Sequence, residues 1–159
     1  MRLIKTGILP SSTSPWAFEP RGALLTRLEL GGEPAFLINT HLGLSFRERK
    51  AQIDCLLGPD WIDSIPEKGG RRTILCGDFN ALPDSLVYKT AAGRLRDVQR
   101  ALPARKARAT FSSHYPILRV DHILVSGDWK VERVEVPHTT LTRAASDHLP
   151  LIADLSLPV

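Results

Sequence analysis

The chain has little cysteine. Its two thiols, Cys55 and Cys76, lack CxxC spacing, which argues against a thiolate zinc centre. Each sits among apolar residues (Asp54-Cys55-Leu56-Leu57 and Ile74-Leu75-Cys76), as small packed thiols do, rather than in a disulfide framework. No apolar run approaches the roughly 20 residues that cross a bilayer, so no membrane span is expected. The opening Met1-Arg2-Leu3-Ile4-Lys5 has no apolar core of a signal peptide, which points to the cytoplasm. There is no internal repeat and no low-complexity tract. There is also no G-x-S-x-G, and Ser146, Asp147 and His148 are consecutive, so they cannot fold onto one another as a hydrolase triad. Zinc-hydrolase spacing of the HExxH kind is missing too.

What is present is a globular composition. The 159 residues are 43% hydrophobic and 24% charged, enough for one domain, 1–159, with a real core. The net charge of +4 suits an anionic partner, a phosphoester or nucleic acid, although a solvated Arg-rich surface accounts for it equally well.

Residues Pro10 to Pro20 are rich in Pro and Ser and read as loop. Ala23 to Leu30 reads as a strand with Leu24, Thr26, Leu28 and Leu30 on one face. Gly31-Gly32 then turns the chain into an apolar strand from Ala35 to Thr40. Ser45 and Glu48 form a capping-box pattern that opens a helix with Phe46, Ile53, Leu56 and Leu57 inward and Gly58 as its stop. Arg47, Arg49 and Lys50 then face water. Thr73 to Cys76 reads as a short buried strand. Asp84 is positioned to cap a second helix that ends at Gly93, and Leu95 to Leu102 reads as another helical turn or two. Strand-like runs follow at Val120 to Ser126, Val131 to Val136 and Leu151 to Ser156. The pattern predicts an α/β (α+β) sandwich with a mixed, largely antiparallel sheet and flanking helices.

Four polar clusters recur where predicted strands run out: Asn39-Thr40-His41, Gly77-Asp78-Phe79-Asn80, Val120-Asp121-His122 and Ser146-Asp147-His148. Polar residues at strand ends on a rigid scaffold tend to line a shared cleft. Carboxylates are hard ligands for Mg²⁺ or Mn²⁺, an Asn amide can donate to a phosphoryl oxygen, and a His paired with an Asp exchanges protons near neutral pH. Taken singly, each cluster has a plainer reading. GDFN serves as a turn, Asp-His pairs are common at surfaces, and a lone His41 is more often structural. Asp121 inside an apolar strand is different, because a buried carboxylate needs a partner. His122 points to the opposite strand face and is read as packing. His114 and His138 are read as solvated, and the three tryptophans (Trp16, Trp61, Trp129) as packing aromatics.

GDFN, then RVDHILVS, then SDHLPL, in that order and with THL upstream, resembles the C-terminal signature of the endonuclease/exonuclease/phosphatase (DNase I-like) superfamily. The matched stretch runs from about Glu19 to Leu155. The resemblance implies a metal-dependent phosphoester hydrolase. In it His41 contacts the scissile phosphate or a nearby carboxylate, Asp78 positions the attacking water and touches metal, and Asn80 hydrogen-bonds the phosphoryl group. Asp121 orients His148, Asp147 binds Mg²⁺ or Mn²⁺, and His148 is the general acid/base. A basic loop, Arg105, Lys106 and Arg108, together with Arg21, is expected to meet the substrate.

The family normally also has a strand bearing an Asn and a further element bearing a Glu metal ligand, and neither can be placed here. The resemblance therefore implies one half of a four-layer fold, with the N-terminal half missing and one sheet face bare. A homodimer through that face, or the missing half itself, is the expected cover. Two other readings remain: a non-catalytic member that acts as a binding or assembly partner, and a basic nucleic-acid-binding module without chemistry.

Overall fold

The computed structural model describes residues 1–11, 19–66, 72–102 and 106–157. Six strands form one sheet in the order β1 (Arg2–Ile8), β2 (Gly22–Leu30), β3 (Glu33–His41), β4 (Thr73–Asp78), β6 (Asp121–Val125), β5 (Arg96–Asp97). Every pairing is antiparallel except β3 with β4, which is parallel. The mixed, largely antiparallel sheet with few helices is the architecture the sequence predicts. At Gly31 and Gly32 φ is 59° and 85°, the two positive values that a tight two-residue hairpin turn demands.

Helix α1 (Phe46–Leu56) and helix α2 (Leu86–Ala92) pack on one sheet face. Ala23, Leu25, Phe36, Ile38, Leu75 and Leu124 point into that layer and meet Ile53, Leu56 and Val87 in the main core. A second, two-stranded antiparallel sheet, β7 (Lys130–Glu135) with β8 (Ile152–Ser156), covers part of the other face. There Trp129 and Val131 pack with Ala35, Val125, Leu28 and Ile74. The short helices α3 (Val98–Ala101) and α4 (Thr140–Ala145) complete the fold.

Several local expectations are corrected. Ser85, not Asp84, caps α2, because its hydroxyl accepts the Tyr88 N–H. In α1 the Ser45 hydroxyl does accept from the Glu48 N–H, but the Glu48 carboxylate is turned inward and does not return to the Ser45 N–H, so only half of the box forms. Phe46 is exposed, while Glu48 and Gln52 are buried beside Ile53 and Leu56. The Gln52 amide explains its own burial: it accepts from Gly43 N at 2.8 Å and donates to the Pro10 carbonyl at 2.9 Å. Arg49 is half-buried, donating to the Gly43 and Leu44 carbonyls, rather than facing water. Leu95 to Leu102 is divided between β5 and α3, and α4 was not legible in the sequence. Both cysteines are free and half-buried.

Leu24 and Leu30 point to the same side of β2 as Leu28, which packs against the β7–β8 cluster, but they remain 46% and 40% exposed. Next to Leu24 on that face lie Ile8 and Asn39, both exposed. No helix of the described residues is long and apolar enough to cross a membrane.

Candidate active site

The sheet register brings three of the predicted residues into one row. His41 ends β3 opposite Asp78 of β4, and Asp78 in turn lies opposite Asp121 of β6. Residues opposite one another share a face. The row therefore projects to the side that carries Leu24 and Asn39, away from the helices.

The G-D-F-N turn after β4 is built by local physics. Gly77 has φ 140°, and a Cβ there would sit 1.8 Å from the Thr40 carbonyl oxygen, so only glycine fits between the strands. Asp78 Oδ1 accepts the Asn80 N–H at 2.7 Å, closing an Asx turn. Phe79 is fully buried and anchors the turn in the core. Asn80 takes the left-handed conformation, φ 48°, which Asn tolerates better than most residues. Its amide donates to the Leu42 carbonyl at 2.9 Å, which fixes the orientation of the side chain.

His41 lies between a cation and an anion. Its Nε2 is 3.2 Å from Asp78 Oδ2, and its Nδ1 is 3.3 Å from an Arg21 guanidinium nitrogen. Arg21 can only donate, so Nδ1 accepts and Nε2 carries the proton towards Asp78. Arg21 also reaches Glu19 at 3.5 Å, while its buried Nε has no partner.

His148 comes from the loop between α4 and β8. That loop is pinned by the Ser113 N–H donating to the Asp147 carbonyl at 2.7 Å and by Leu149 N–H donating to Thr110 at 2.8 Å. The Phe111 ring packs on the His148 ring, centroids 4.9 Å apart. His148 Nδ1 lies 2.8 Å from Asp121 Oδ2, and its Nε2 lies 3.9 Å from Asp78 Oδ2. The second separation is too long for a direct hydrogen bond and leaves room for a bridging oxygen.

Burial raises the Asp78 carboxyl above its ordinary value; the Asn80 N–H opposes this and the Asp121 charge adds to it. For His148, desolvation pulls downward, but the hydrogen bond to Asp121 and the charges of Asp121, Asp78 and Asp147 outweigh it and leave the imidazole raised. A carboxylate made more basic thus faces an imidazole whose protonated form is favoured over that of a free histidine. Environments that tune two neighbouring groups in this way are typical of acid–base sites.

Asp78, Asp121 and His148 each offer one ligand atom, all within 4.8 Å of one another, and form a group able to hold a metal ion. The expected metal residue Asp147 is not in that group; its carboxylate is exposed and lies against Ser146 Oγ at 3.4 Å. Of the basic loop, Arg105 falls outside the described residues, as does Trp16, whereas Lys106 and Arg108 are exposed and line a separate pocket. His122 turns to the helix face, where its Nε2–H donates to the Ala81 carbonyl at 2.8 Å, in keeping with its reading as packing. Asp121 as a metal-ligand candidate and the tilted Phe111–His148 ring contact were not read from the sequence. Phe111 is a single aromatic in a loop, and no periodicity marks it.

The profile of the Endonuclease/Exonuclease/phosphatase family matches residues 15–148. No curated protein matches the chain by sequence. A functionally unknown conserved protein from Enterococcus faecalis V583 has a similar structure, TM-score 0.76 at 26% identity, over 99% of this chain and 67% of that one. The human Nocturnin catalytic domain, solved with a bound sulfate anion, gives 0.73 at 26% identity, over 99% and 60% of the two chains. The mannosyl-6-phosphatase Bt3783 of Bacteroides thetaiotaomicron VPI-5482 gives 0.75 at 22% identity, over 98% and 67%, a likeness of fold. The chain thus spans between 60% and 67% of the length of these three proteins.

Proposed function

The chain belongs to the endonuclease/exonuclease/phosphatase family, and on that premise we propose that it is a divalent-metal-dependent phosphoester hydrolase working through His41, Asp78, Asn80, Asp121 and His148. The observation that carries this reading is the pairing of His148 with Asp121 on one side and its 3.9 Å approach to Asp78 on the other. An attacking water placed in that gap is oriented by Asp78, which takes its proton as the water oxygen bonds to phosphorus. The P–O ester bond breaks, and protonated His148 supplies a proton to the oxygen that carries away the charge. Asp121 holds the imidazole by its Nδ1–H so that Nε2 faces the reaction. Asn80 and Arg21 are donors suited to the non-bridging phosphoryl oxygens.

The donor set fits a hard cation, because the carboxylates of Asp78 and Asp121 converge at one place, with ligand atoms within 4.8 Å of one another. Mg²⁺ or Mn²⁺ held by Asp78 and Asp121, with Asp147 within electrostatic reach, would offset charge on the phosphoryl oxygens. Mn²⁺ titration followed by paramagnetic resonance tests this part separately from turnover. Stoichiometric binding lost in Asp78→Asn/Asp121→Asn supports it, and binding unchanged in that variant contradicts it.

One observation favours a second reading, a non-catalytic member that acts as a binding or assembly partner. No glutamate joins the metal group among the described residues. A folded chain that binds no Mn²⁺ and turns over no phosphoester would select that reading.

A further inference from the structure

The turn that carries the chain from His41 into α1 is bonded on both sides. On the site side, Leu42 N–H donates to the Asp78 carbonyl at 2.9 Å, and the Leu42 carbonyl accepts from Asn80 Nδ2 at 2.9 Å. The Leu42–Gly43 peptide is trans, so its C=O and N–H point in opposite directions. The C=O is the group that holds Asn80. The N–H, at the far end of the same rigid plane, donates to Gln52 Oε1 at 2.8 Å. One peptide unit therefore lies between the Gln52 amide and the Asn80 amide.

Gln52 is itself fixed. It is fully buried, and its Nε2 donates to the Pro10 carbonyl at 2.9 Å, which can only accept and so settles which end of the amide faces Gly43. Arg49, on the preceding turn of α1, donates to the next two carbonyls, Gly43 at 3.4 Å and Leu44 at 2.5 Å. Glu48 closes the other side: a Cβ on Gly43 would lie 2.3 Å from Glu48 Oε2, so the glycine seats directly against the helix. A helix that needed only to bury an apolar face would carry an aliphatic residue beside Ile53 and Leu56, because burying an amide costs free energy unless it is hydrogen-bonded. Half of the bonds that Gln52 makes, and both side-chain bonds of Arg49, go to the backbone that follows His41.

We propose that Gln52 is a positioning residue for the active site. It orients the Leu42–Gly43 peptide and, through the carbonyl of that peptide, the Asn80 amide, whose nitrogen lies 3.2 Å from His41 Nε2. Arg49 holds the same turn from the neighbouring carbonyls and acts in the same direction. The expected effect on rate rests on the phosphoester reading of the site, whereas the positioning of Asn80 does not depend on turnover.

The test joins a readout without chemistry to one with it, on the full chain. Gln52→Met keeps the length of the side chain but can neither accept from Gly43 nor donate to Pro10. In ¹⁵N-labelled protein in EDTA, solvent exchange of the Asn80 side-chain amide should quicken about tenfold as its hydrogen bond loosens. Gln99→Met is the control for a merely structural loss. Gln99 is buried to a similar degree and grips the Arg108 backbone at 2.7 Å and 3.3 Å, away from Asn80, so its replacement should leave that exchange within about twofold of wild type. With Mg²⁺ and bis-p-nitrophenyl phosphate, Gln52→Met should lower kcat about tenfold with little change in KM, the mark of a misplaced group rather than lost binding. In an Asn80→Ala background the same substitution should cost less than about twofold, because its route to the chemistry has been removed. Arg49→Met, at a half-buried position that leaves no hole in the core, should show both effects at about threefold and decides the matter if Gln52→Met does not fold.

The proposal is overturned if Asn80 exchange is unchanged in the folded variants, if Gln99→Met quickens it as much, or if the loss in kcat persists undiminished in Asn80→Ala. Exchange that responds as expected in a wild-type chain without turnover would defeat the enzymatic reading and leave the positioning of Asn80 standing.

Discussion

His148 Nδ1 lies 2.8 Å from Asp121 Oδ2, although 27 residues separate the two in the chain. The contact joins the first residue of β6 to a loop that reaches it by way of strand β7 and a short helix, and it is what aims Nε2 at Asp78. Asp121→Asn keeps the size of the side chain but removes the charge that holds and raises the imidazole. The expected loss in kcat is about 10²–10³-fold, measured on a small diester with folding checked by circular dichroism. Because the two residues act as one unit, Asp121→Asn/His148→Ala should lose no more than about threefold beyond His148→Ala alone. Additive losses would show that Asp121 acts elsewhere.

Gly77 is where the site most constrains the backbone. Gly77→Ala places a methyl 1.8 Å from the Thr40 carbonyl at a φ of 140°, so β3 and β4 must separate where His41 and Asp78 stand side by side. The expected cost is about 3 kcal/mol or more, read from urea unfolding. A loss under about 1 kcal/mol would mean that the strand ends are more yielding than their register implies.

Acid should destabilise the chain through His122. Desolvation lowers this buried imidazole from its ordinary value to about 4, and the hydrogen bond to Ala81 recovers only part of the shift. Between pH 6.5 and about 4 the unfolded chain binds a proton that the folded chain refuses. Stability is therefore full above the unfolded value and falls as pH drops through this window, by about 3 kcal/mol in all. His122→Gln can keep a donor for Ala81 but cannot titrate, so the difference in stability between variant and wild type should shift steadily towards the variant from pH 7 to pH 4. A pH-independent difference would contradict this.

The bare part of the sheet face is proposed as a contact for a second copy of the chain. Leu3, Ile8 and Leu24, exposed by 56%, 81% and 46%, are brought together there by the pairing of β1 with β2. Sedimentation at high micromolar concentration should show self-association that Leu24→Glu weakens. A monodisperse monomer in both would rule it out.

Much of this site could be read from the sequence because short-range chemistry dictates it. Gly77, Asp78 and Asn80 are each required by the turn, and Asp78 and Asn80 also present their side chains to His41 in the cleft, so one four-residue motif carries both signals. Asp121 was legible as an acid in need of a partner, and the partner is His148. Other features depend on long-range placement. Nothing local says that Leu24 is half-exposed while Leu25 is buried, since that depends on which elements pack on each face of β2. The contact between Arg21 and His41 follows from strand pairing across a loop. Asp84 and Ser85 are adjacent candidates for one cap, and sequence alone does not choose between them.

The central claim is that the Asp78–His148–Asp121 arrangement hydrolyses phosphoesters, and it is tested most directly with bis-p-nitrophenyl phosphate. Purified chain is assayed with Mg²⁺, with Mn²⁺ and with EDTA, beside Asp78→Ala/His148→Ala. The account predicts turnover with a divalent metal that disappears in EDTA and in the variant. A folded wild-type chain with no turnover under any metal, or turnover that survives in Asp78→Ala/His148→Ala, would contradict it.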